Sequence, residues 1–316
     1  MSDAAVLEEK AQAADNPFAA GCGFVEGAYK PIGEVGVSVL DWGFNKSDVT
    51  YDVVHVWHGG FFRLQDHLDR FWRSMAGLRM SIPYRQVEVA EILHGCVRRA
   101  GLQDAYVSMT ATRGVPKPGM PRKPSLLENR FIAYAIPWVD VISPEVQARG
   151  AHLIIAKTPR IPSACVDPTI KNYHWGDLIR GQFEAEDLDA DAAVLLDLDG
   201  YVTEGPGFNV FAVIDGTVVS PDRGALEGIS RQSVLDLCQE MGIPSEIRAI
   251  TADEFRDADE IFTSTTAGGV MPASRIDGRI KGNDRPGPIS ARLKERYWER
   301  HAEGWHRTPV DYQGSV

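Results

Sequence analysis

Apolar residues recur along this chain at two spacings, every second position and every third to fourth, and the two alternate through most of its length. The run Val49-Thr50-Tyr51-Asp52-Val53-Val54-His55-Val56-Trp57 is β-branched and aromatic, which predicts a strand, and His58-Gly59-Gly60 turns it into Phe61-Phe62-Arg63-Leu64. Leu68, Phe71, Trp72 and Met75 fall at helical spacing behind Asp66, a residue suited to cap that helix, and Arg70 lies off the stripe, open to a ligand or to water. Val89, Ile92, Leu93, Cys96 and Val97 predict a second helix over 86–99 that stops near Gly101. Strands over 105–112 and 130–137 follow, separated by a Pro-, Gly-, Lys- and Arg-rich loop, 114–128, whose length makes it either disordered or functional. Ahead of all these, 23–29 and 34–39 read as two short strands around a Lys30-Pro31 turn, and 43–48 as a loop.

In the second half Leu153-Ile154-Ile155-Ala156 reads as a buried strand. Two hairpins follow, 193–197 with 201–204 over Asp199-Gly200, and 208–214 with 217–220 over Asp215-Gly216. Ser230 is the expected N-cap of a helix over 231–241, Thr251-Ala252-Asp253-Glu254 is a capping box, 259–263 is a strand, and 290–301 is a terminal helix. No internal repeat or low-complexity tract interrupts this order. Mixed strands and helices over 316 residues predict an α/β chain of two packed domains. The expected division is a tail over 1–20, a small α/β domain over 21–138, an interdomain segment over 139–150 and a large α/β domain over 151–316.

Composition narrows the function. A net charge of -11 without a Lys/Arg cluster argues against a nucleic-acid surface, and 44% hydrophobic with 24% charged residues is ordinary for a soluble globular chain. Cys22, Cys96, Cys165 and Cys238 lie far apart, with no paired or histidine spacing that suggests a metal, so reduced thiols in a cytoplasm are expected. Residues 1–16 lack a basic start and an apolar stretch, so they do not read as a signal peptide but as a frayed or weakly helical tail. No apolar run approaches the roughly 20 residues that span a bilayer. Small-molecule chemistry is the remaining expectation.

The candidate chemistry centres on Asp167-Pro168-Thr169-Ile170-Lys171-Asn172-Tyr173-His174-Trp175-Gly176-Asp177-Leu178, where one lysine sits between a proline-led turn and the start of a helix. A lysine held against a packed sheet is partly desolvated, which favours the neutral, nucleophilic amine; a solvated loop lysine is the alternative. Glu204 stands before Gly205-Pro206-Gly207, where it can meet a ring nitrogen or lie at the surface. Ile229 and Ser230 open a helix whose N–H groups suit an anion, or form a simple cap. Thr265 and Thr266 precede Gly268-Gly269 and can donate to a phosphate or serve the turn. Arg70 can pair with phosphate, or with Asp66 or Asp69. An amine, a carboxylate and several phosphate donors are what a pyridoxal phosphate site requires.

The order and wording of these pieces resemble the class IV pyridoxal phosphate aminotransferases over about residues 23–288. The resemblance is carried by His67-Leu68-Asp69-Arg70, Ile170-Lys171, Glu204-Gly205-x-Gly207-Phe208-Asn209, Gly228-Ile229-Ser230-Arg231 and Thr265-Thr266-Ala267-Gly268-Gly269. Within that family Ser47-Asp48-Val49-Thr50-Tyr51-Asp52-Val53, Thr112-Arg113-Gly114 and the segment from Lys171 to Leu178 are most similar to the R-selective amine transaminases. The resemblance implies a two-domain homodimer with the cofactor in the cleft between the domains, transferring an amino group from an amine to a keto acid such as pyruvate. It implies that Lys171 carries the cofactor, that Glu204 pairs with the ring nitrogen, and that Arg70, Ile229, Ser230, Thr265 and Thr266 hold the phosphate, with Leu226 against the ring. Tyr51, Val53, Tyr106 and Trp175 are then expected to line the substrate pockets, with Arg122 on the mobile loop reaching a carboxylate. Lys46 stands where those amine transaminases usually have histidine and adds a positive charge at the entrance. The loop lacks the Arg-x-His carboxylate trap of the D-amino-acid enzymes. Branched-chain and D-amino-acid aminotransferases, and a lyase of the same fold such as aminodeoxychorismate lyase, remain as alternatives.

Overall fold

A computed structural model describes residues 16–314, so most of the tail expected over 1–20 lies outside the described residues. The chain divides into two compact units, one of residues 16–139 with 306–314 and one of residues 140–305.

The first unit opens with β1 (Cys22–Val25) and β2 (Ala28–Pro31). Their turn is Glu26-Gly27, both at positive φ, 54° and 79°, the geometry a two-residue hairpin demands. The expected Lys30-Pro31 turn is therefore the end of a strand, and 34–39 is not a strand but follows a short 3-10 turn at Ile32–Glu34. Residues 43–48, expected as loop, are mostly helix: α1 (Trp42–Lys46) starts at Asp41, whose side chain accepts from the Gly43 N–H at 2.7 Å. Next come β3 (Val49–Trp57), β4 (Gly60–Phe62), α2 (Leu64–Gly77), α3 (Gln86–Ala100), β5 (Ala105–Thr112) and β6 (Arg130–Pro137). Asp66 does not cap α2. The cap position is Arg63, in left-handed backbone at φ 51°, and Asp66 in the first turn accepts from its guanidinium at 3.1 Å.

One seven-stranded antiparallel sheet, ordered from the chain's last strand (Arg307–Pro309) through β4, β3, β5, β6 and β1 to β2, organises this unit. Alternation along each strand sends Val54 and Val56, with Val107, Met109 and Ala111, into one core with Leu68, Phe71 and Met75 of α2 and Val89, Leu93 and Val97 of α3. Each of these side chains larger than alanine contributes about 1.5–3 kcal/mol by leaving water.

The second unit holds α4 (Pro144–Arg149), β7 (Ala151–Ile155), α5 (Gly176–Glu186), β8 (Ala192–Val194), β9 (Glu204–Gly205), β10 (Phe208–Ile214), β11 (Thr217–Ser220), α6 (Ile229–Glu240), β12 (Ser245–Ile247), α7 (Ala252–Asp257), β13 (Glu260–Thr265), β14 (Gly269–Ile276), β15 (Arg279–Ile280) and α8 (Pro288–Ala302). Its sheet runs β12-β11-β10-β13-β14-β7-β8, with β9 on β10 and β15 on β14; β11 with β12, β14 with β7, and β7 with β8 are parallel pairs. The Asp215-Gly216 hairpin and the Thr251–Glu254 capping box stand as the sequence predicts. No helix among the described residues is long and apolar enough to cross a membrane.

Two boundaries differ from expectation. The change of unit falls at 139–140, and half of the segment expected between domains is α4, capped by Ser143 and counted in the second unit. The end of the chain returns to the first unit: Arg307–Pro309 pairs with β4, Val310 donates its N–H to the Gly59 carbonyl at 2.9 Å, and Tyr312 donates its hydroxyl to the Leu102 carbonyl at 2.6 Å. Val310 belongs to the first core and Tyr312 packs against it. Removing residues 306–316 is therefore expected to destabilise this unit by at least about 2 kcal/mol, read as a lower urea midpoint; an unchanged midpoint would make the returning strand dispensable.

Candidate active site

Lys171 sits outside regular structure, yet the chain around it is fixed by side-chain turns. Asp167 accepts from the Thr169 N–H at 2.9 Å, Asn172 donates to the Ile170 carbonyl at 2.7 Å and accepts from the His174 N–H at 2.9 Å, and Trp175 Nε1 donates to the Asn172 carbonyl at 3.2 Å. These local bonds substitute for a strand or helix. α5 begins directly afterwards and is tied back to the end of β7 by Glu184, which accepts from the Lys157 and Thr158 N–H groups at 2.6 and 3.0 Å. Lys171 is half-buried, and its charge acts on Glu204.

Glu204 lies on β9, 7% exposed. Its Oε1 accepts from Arg160 Nε at 3.2 Å and Nη2 at 3.0 Å, and its Oε2 accepts from the Leu226 N–H at 3.0 Å. Burial pushes its carboxyl above the usual carboxylate range, and Arg160, the Leu226 N–H and Lys171 pull it part of the way back. Arg160 Nη1 donates in turn to Asp177 Oδ2 at 2.6 Å, and all three side chains are buried. Burial opposes the guanidinium charge, but Glu204 and Asp177 outweigh it and leave Arg160 more firmly protonated.

The loop over 221–228 is held at both ends of this network. Leu226 gives its N–H to Glu204 and its carbonyl accepts from Asn209 Nδ2 at 2.8 Å. Gly228 is the cap position of α6, and a Cβ there would stand 2.0 Å from Asn209 Oδ1, so only glycine lets the helix start this close to β10. Ser230, expected as the cap, is instead buried in the first turn. No side chain of the described residues caps this end, and the N–H groups of Ile229 and Ser230 have the orientation that suits an anion. Thr265 ends β13 with its hydroxyl committed to the Gly207 carbonyl at 2.7 Å, which leaves backbone rather than hydroxyl for a phosphate; Thr266 is half-buried beside it. Ser264 Oγ is buried without a hydrogen-bond partner.

Arg70, Lys46, Tyr51, Val53, Tyr106 and Arg122 belong to the first unit. Arg70 is not open to water: it is buried on α2, and its Nε and Nη2 both reach the Asp52 carboxylate at 2.8 Å, while His67 Nδ1 meets the same carboxylate at 2.8 Å. Burial works against the ionised Asp52, but Arg70 and His67 prevail and hold its carboxyl well below the usual range. Burial lowers His67 below its ordinary value, so the ring is neutral and donates from Nδ1. Asp66 and Asp69, the expected partners of Arg70, pair with Arg63 and with Gln65 and Gln86. On the opposite face of the same strands the register places Tyr51 across from Thr110, Val53 across from Ser108, and Ser108 across from Tyr134; Tyr106 stacks on Tyr134 at 6.4 Å. Lys46 ends α1, exposed, 5.5 Å from the Trp42 ring, and Arg122 is exposed in the 114–128 loop.

Arg160, Asp177 and Asp52 are the residues whose part sequence reasoning did not assign. Arg160 follows Pro159 in a stretch that reads as a plain connection, and Asp52 takes the place of a polar residue in an alternating strand. The donor set fits a phosphorylated pyridine aldehyde: a half-buried amine, a buried carboxylate within its field, uncapped N–H groups at a helix start and an unpartnered serine hydroxyl. Among the described residues no cluster of His, Cys, Asp and Glu is arranged for a metal ion.

The family model for amino-transferase class IV matches residues 50–276. The chain is 33% identical over 251 residues to a branched-chain-amino-acid aminotransferase of Pseudomonas aeruginosa, covering 77% of this chain and 81% of that one. It is 30% identical over 267 residues to a D-alanine aminotransferase of Bacillus licheniformis, covering 83% and 90%. A T.th. branched-chain amino acid aminotransferase solved with pyridoxamine 5'-phosphate superposes with a TM-score of 0.83 at 31% identity, covering 92% of this chain and 99% of that one.

The Asp52–His67–Arg70 cluster predicts acid lability with a definite sign. A neutral His67 in the folded state cannot take the proton that the unfolded chain accepts near its ordinary value of 6.5, so stability falls as pH drops below 6.5. Asp52 adds stability that is complete above its ordinary 3.8 and lost as pH falls below it. Denaturation at a series of pH values should show His67→Gln losing less stability than the parent as pH falls below 6.5, with the two slopes differing by up to about 1.4 kcal/mol per pH unit. Parallel curves would mean that His67 stays protonated in the fold.

Proposed function

This chain belongs to the class IV aminotransferases, a pyridoxal phosphate-dependent transaminase, and we propose that its donor is an R-configured primary amine and its acceptor a keto acid such as pyruvate. The observation that carries the donor is the sheet face of Tyr51, Val53, Tyr106, Ser108, Thr110 and Tyr134, which holds no carboxylate, lysine or arginine over those positions. An apolar amine needs no counter-charge there, whereas an amino acid's carboxylate does. The acceptor's carboxylate is met instead by an exposed cation at the rim, Arg122 or Lys46. The resemblance of Ser47–Val53 and Lys171–Leu178 to R-selective amine transaminases supports the same choice, and it extends the reading to a cytoplasmic homodimer.

Bound pyridoxal phosphate supplies an electron sink. Lys171 would hold it through its amine, and Lys171 Nζ is the group that would take the proton from the donor's amine-bearing carbon. Glu204 would pair with the ring nitrogen, and Leu226, held by Glu204 and Asn209, would pack against the ring. Ile229, Ser230, Thr265 and Thr266 would hold its phosphate, and Arg70, whose guanidinium is oriented by Asp52, is the further cation proposed for it. Tyr51, Val53 and Tyr106 of the first unit and Trp175 of the second are the residues proposed to meet the substrate. A second reading, with a branched-chain or D-amino acid as donor, is supported by the relatives that carry those activities in their names.

A donor panel separates the two. With pyruvate as acceptor, the R enantiomer of an aryl-alkyl amine is expected to exceed its S enantiomer and both L-leucine and D-2-aminobutyrate in kcat/KM; an amino acid ahead by tenfold or more overturns the amine reading. Lys171→Ala is expected to lower turnover by at least about 10²-fold, and borohydride reduction followed by peptide mapping should place the cofactor on Lys171. A label on Lys46 or Lys157 would move the attachment point.

A further inference from the structure

The Glu204 carboxylate is placed by more than its own strand. Arg160 is anchored by its backbone, donating its N–H to the Leu196 carbonyl at 2.8 Å in the hairpin that leads to Glu204, and its fork spans two carboxylates. Asp177, in the first turn of the 11-residue α5, takes the Arg160 Nη1–H and the Ile161 N–H on one oxygen, Oδ2, at 2.6 and 2.7 Å. Its other oxygen, Oδ1, is buried and has no hydrogen-bond partner. A buried carboxylate oxygen without a donor is costly, and nothing in the cofactor-holding set makes use of it.

We propose that Asp177 and Arg160 are positioning residues that set the proton affinity of Glu204 from opposite sides. Arg160 favours the ionised carboxylate by direct contact. Asp177 draws on the same guanidinium, and its uncompensated oxygen weakens the field that Arg160 exerts on Glu204. Lys171 and Arg231 also act with Glu204 and are both positive, whereas Asp177 brings a negative charge onto the Arg160 fork. A Glu204 held too firmly as an anion loses the ability to share a proton with a ring nitrogen. One held too loosely becomes neutral and cannot keep that nitrogen charged. Asp177 sets the balance between the two. The consequence for the reaction rests on the proposed role of Glu204; the charge balance itself does not.

The two variants are expected to move Glu204 in opposite directions, which a merely structural role would not produce. Asp177→Asn keeps an oxygen for Ile161 and Arg160 but removes the charge, so the Glu204 midpoint falls; Arg160→Met removes the cation, so it rises. Each shift should be about one pH unit, a tenfold change in proton affinity. The full chain loaded with pyridoxal phosphate, and again without it, is labelled with 13C in the glutamate carboxyls, and the Glu204 signal is assigned by its absence in Glu204→Gln. Opposite shifts uphold the proposal. Shifts of one sign, or an unmoved midpoint in Asp177→Asn, overturn it. Should Arg160→Met fail to fold, Arg160→Lys replaces it, and a midpoint in that variant that stays at the parent value while Asp177→Asn falls still upholds the proposal. Turnover of Glu204→Gln distinguishes the underlying reading: undiminished turnover removes Glu204 from the ring nitrogen and leaves the titration result standing.

Discussion

One buried guanidinium carries the site in the second unit. Arg160 joins three pieces of chain that sequence keeps apart: the connection after β7, the hairpin that ends at Glu204, and the start of α5. A charge taken out of water is tolerable only when its donors are satisfied, and here Nε, Nη1 and Nη2 all end on carboxylate oxygens. Removing one partner of such a network costs about 3–5 kcal/mol because the others remain buried. The segment between Arg160 and Asp177, which contains Lys171, is thereby closed into a loop whose two ends meet at a single ion pair. The amine can then sit outside any helix or strand and still be placed.

The first unit uses the same device with the signs exchanged. Asp52 is the buried ion, and α2 supplies both of its partners from positions 67 and 70, one turn apart. This explains why a charged residue interrupts an otherwise apolar strand, and why Arg70 leaves the helix's apolar stripe without facing water. The pair fixes the direction of the guanidinium, because two of its nitrogens end on one buried carboxylate.

Most of the regular structure was legible because it follows from local patterns. Strands β5 and β6, helix α3 with its Gly101 end, the Asp215-Gly216 hairpin and the Thr251–Glu254 capping box all declare themselves through periodicity or turn chemistry. The misread pieces are those decided by distant partners. Ser230 has the chemistry of a cap, but Gly228 takes that position because Asn209 of β10 leaves no room for a side chain. Asp66 has it too, yet Arg63 begins the helix in left-handed backbone. The closing strand, Arg307–Pro309, has no alternation to reveal it and exists only because β4 offers a free edge. In the candidate site, motif context picked out Lys171, Glu204 and the start of α6; Arg160 and Asp52 were not legible, since a buried ion pair leaves no periodic trace.

Lys46 and Arg122, the two cations proposed for the acceptor, extend from segments that Arg113 ties together. Arg113 is buried at the stem of the 114–128 loop, with Nε and Nη2 on Asp48 at 2.8 and 3.0 Å and two further bonds to the Leu78 and Arg79 carbonyls. Asp48 closes the turn that follows Lys46, and Asn129, at the far stem, donates to the Arg113 carbonyl at 3.1 Å. The Gly114 carbonyl also accepts from the first N–H of α1, at 3.0 Å from Trp42. Both exposed side chains therefore extend from one rigid base. A loop built this way places its freedom at the tip, where a long side chain changes position without repacking the core. The tip's sequence can then vary without disturbing the buried charges at its stem.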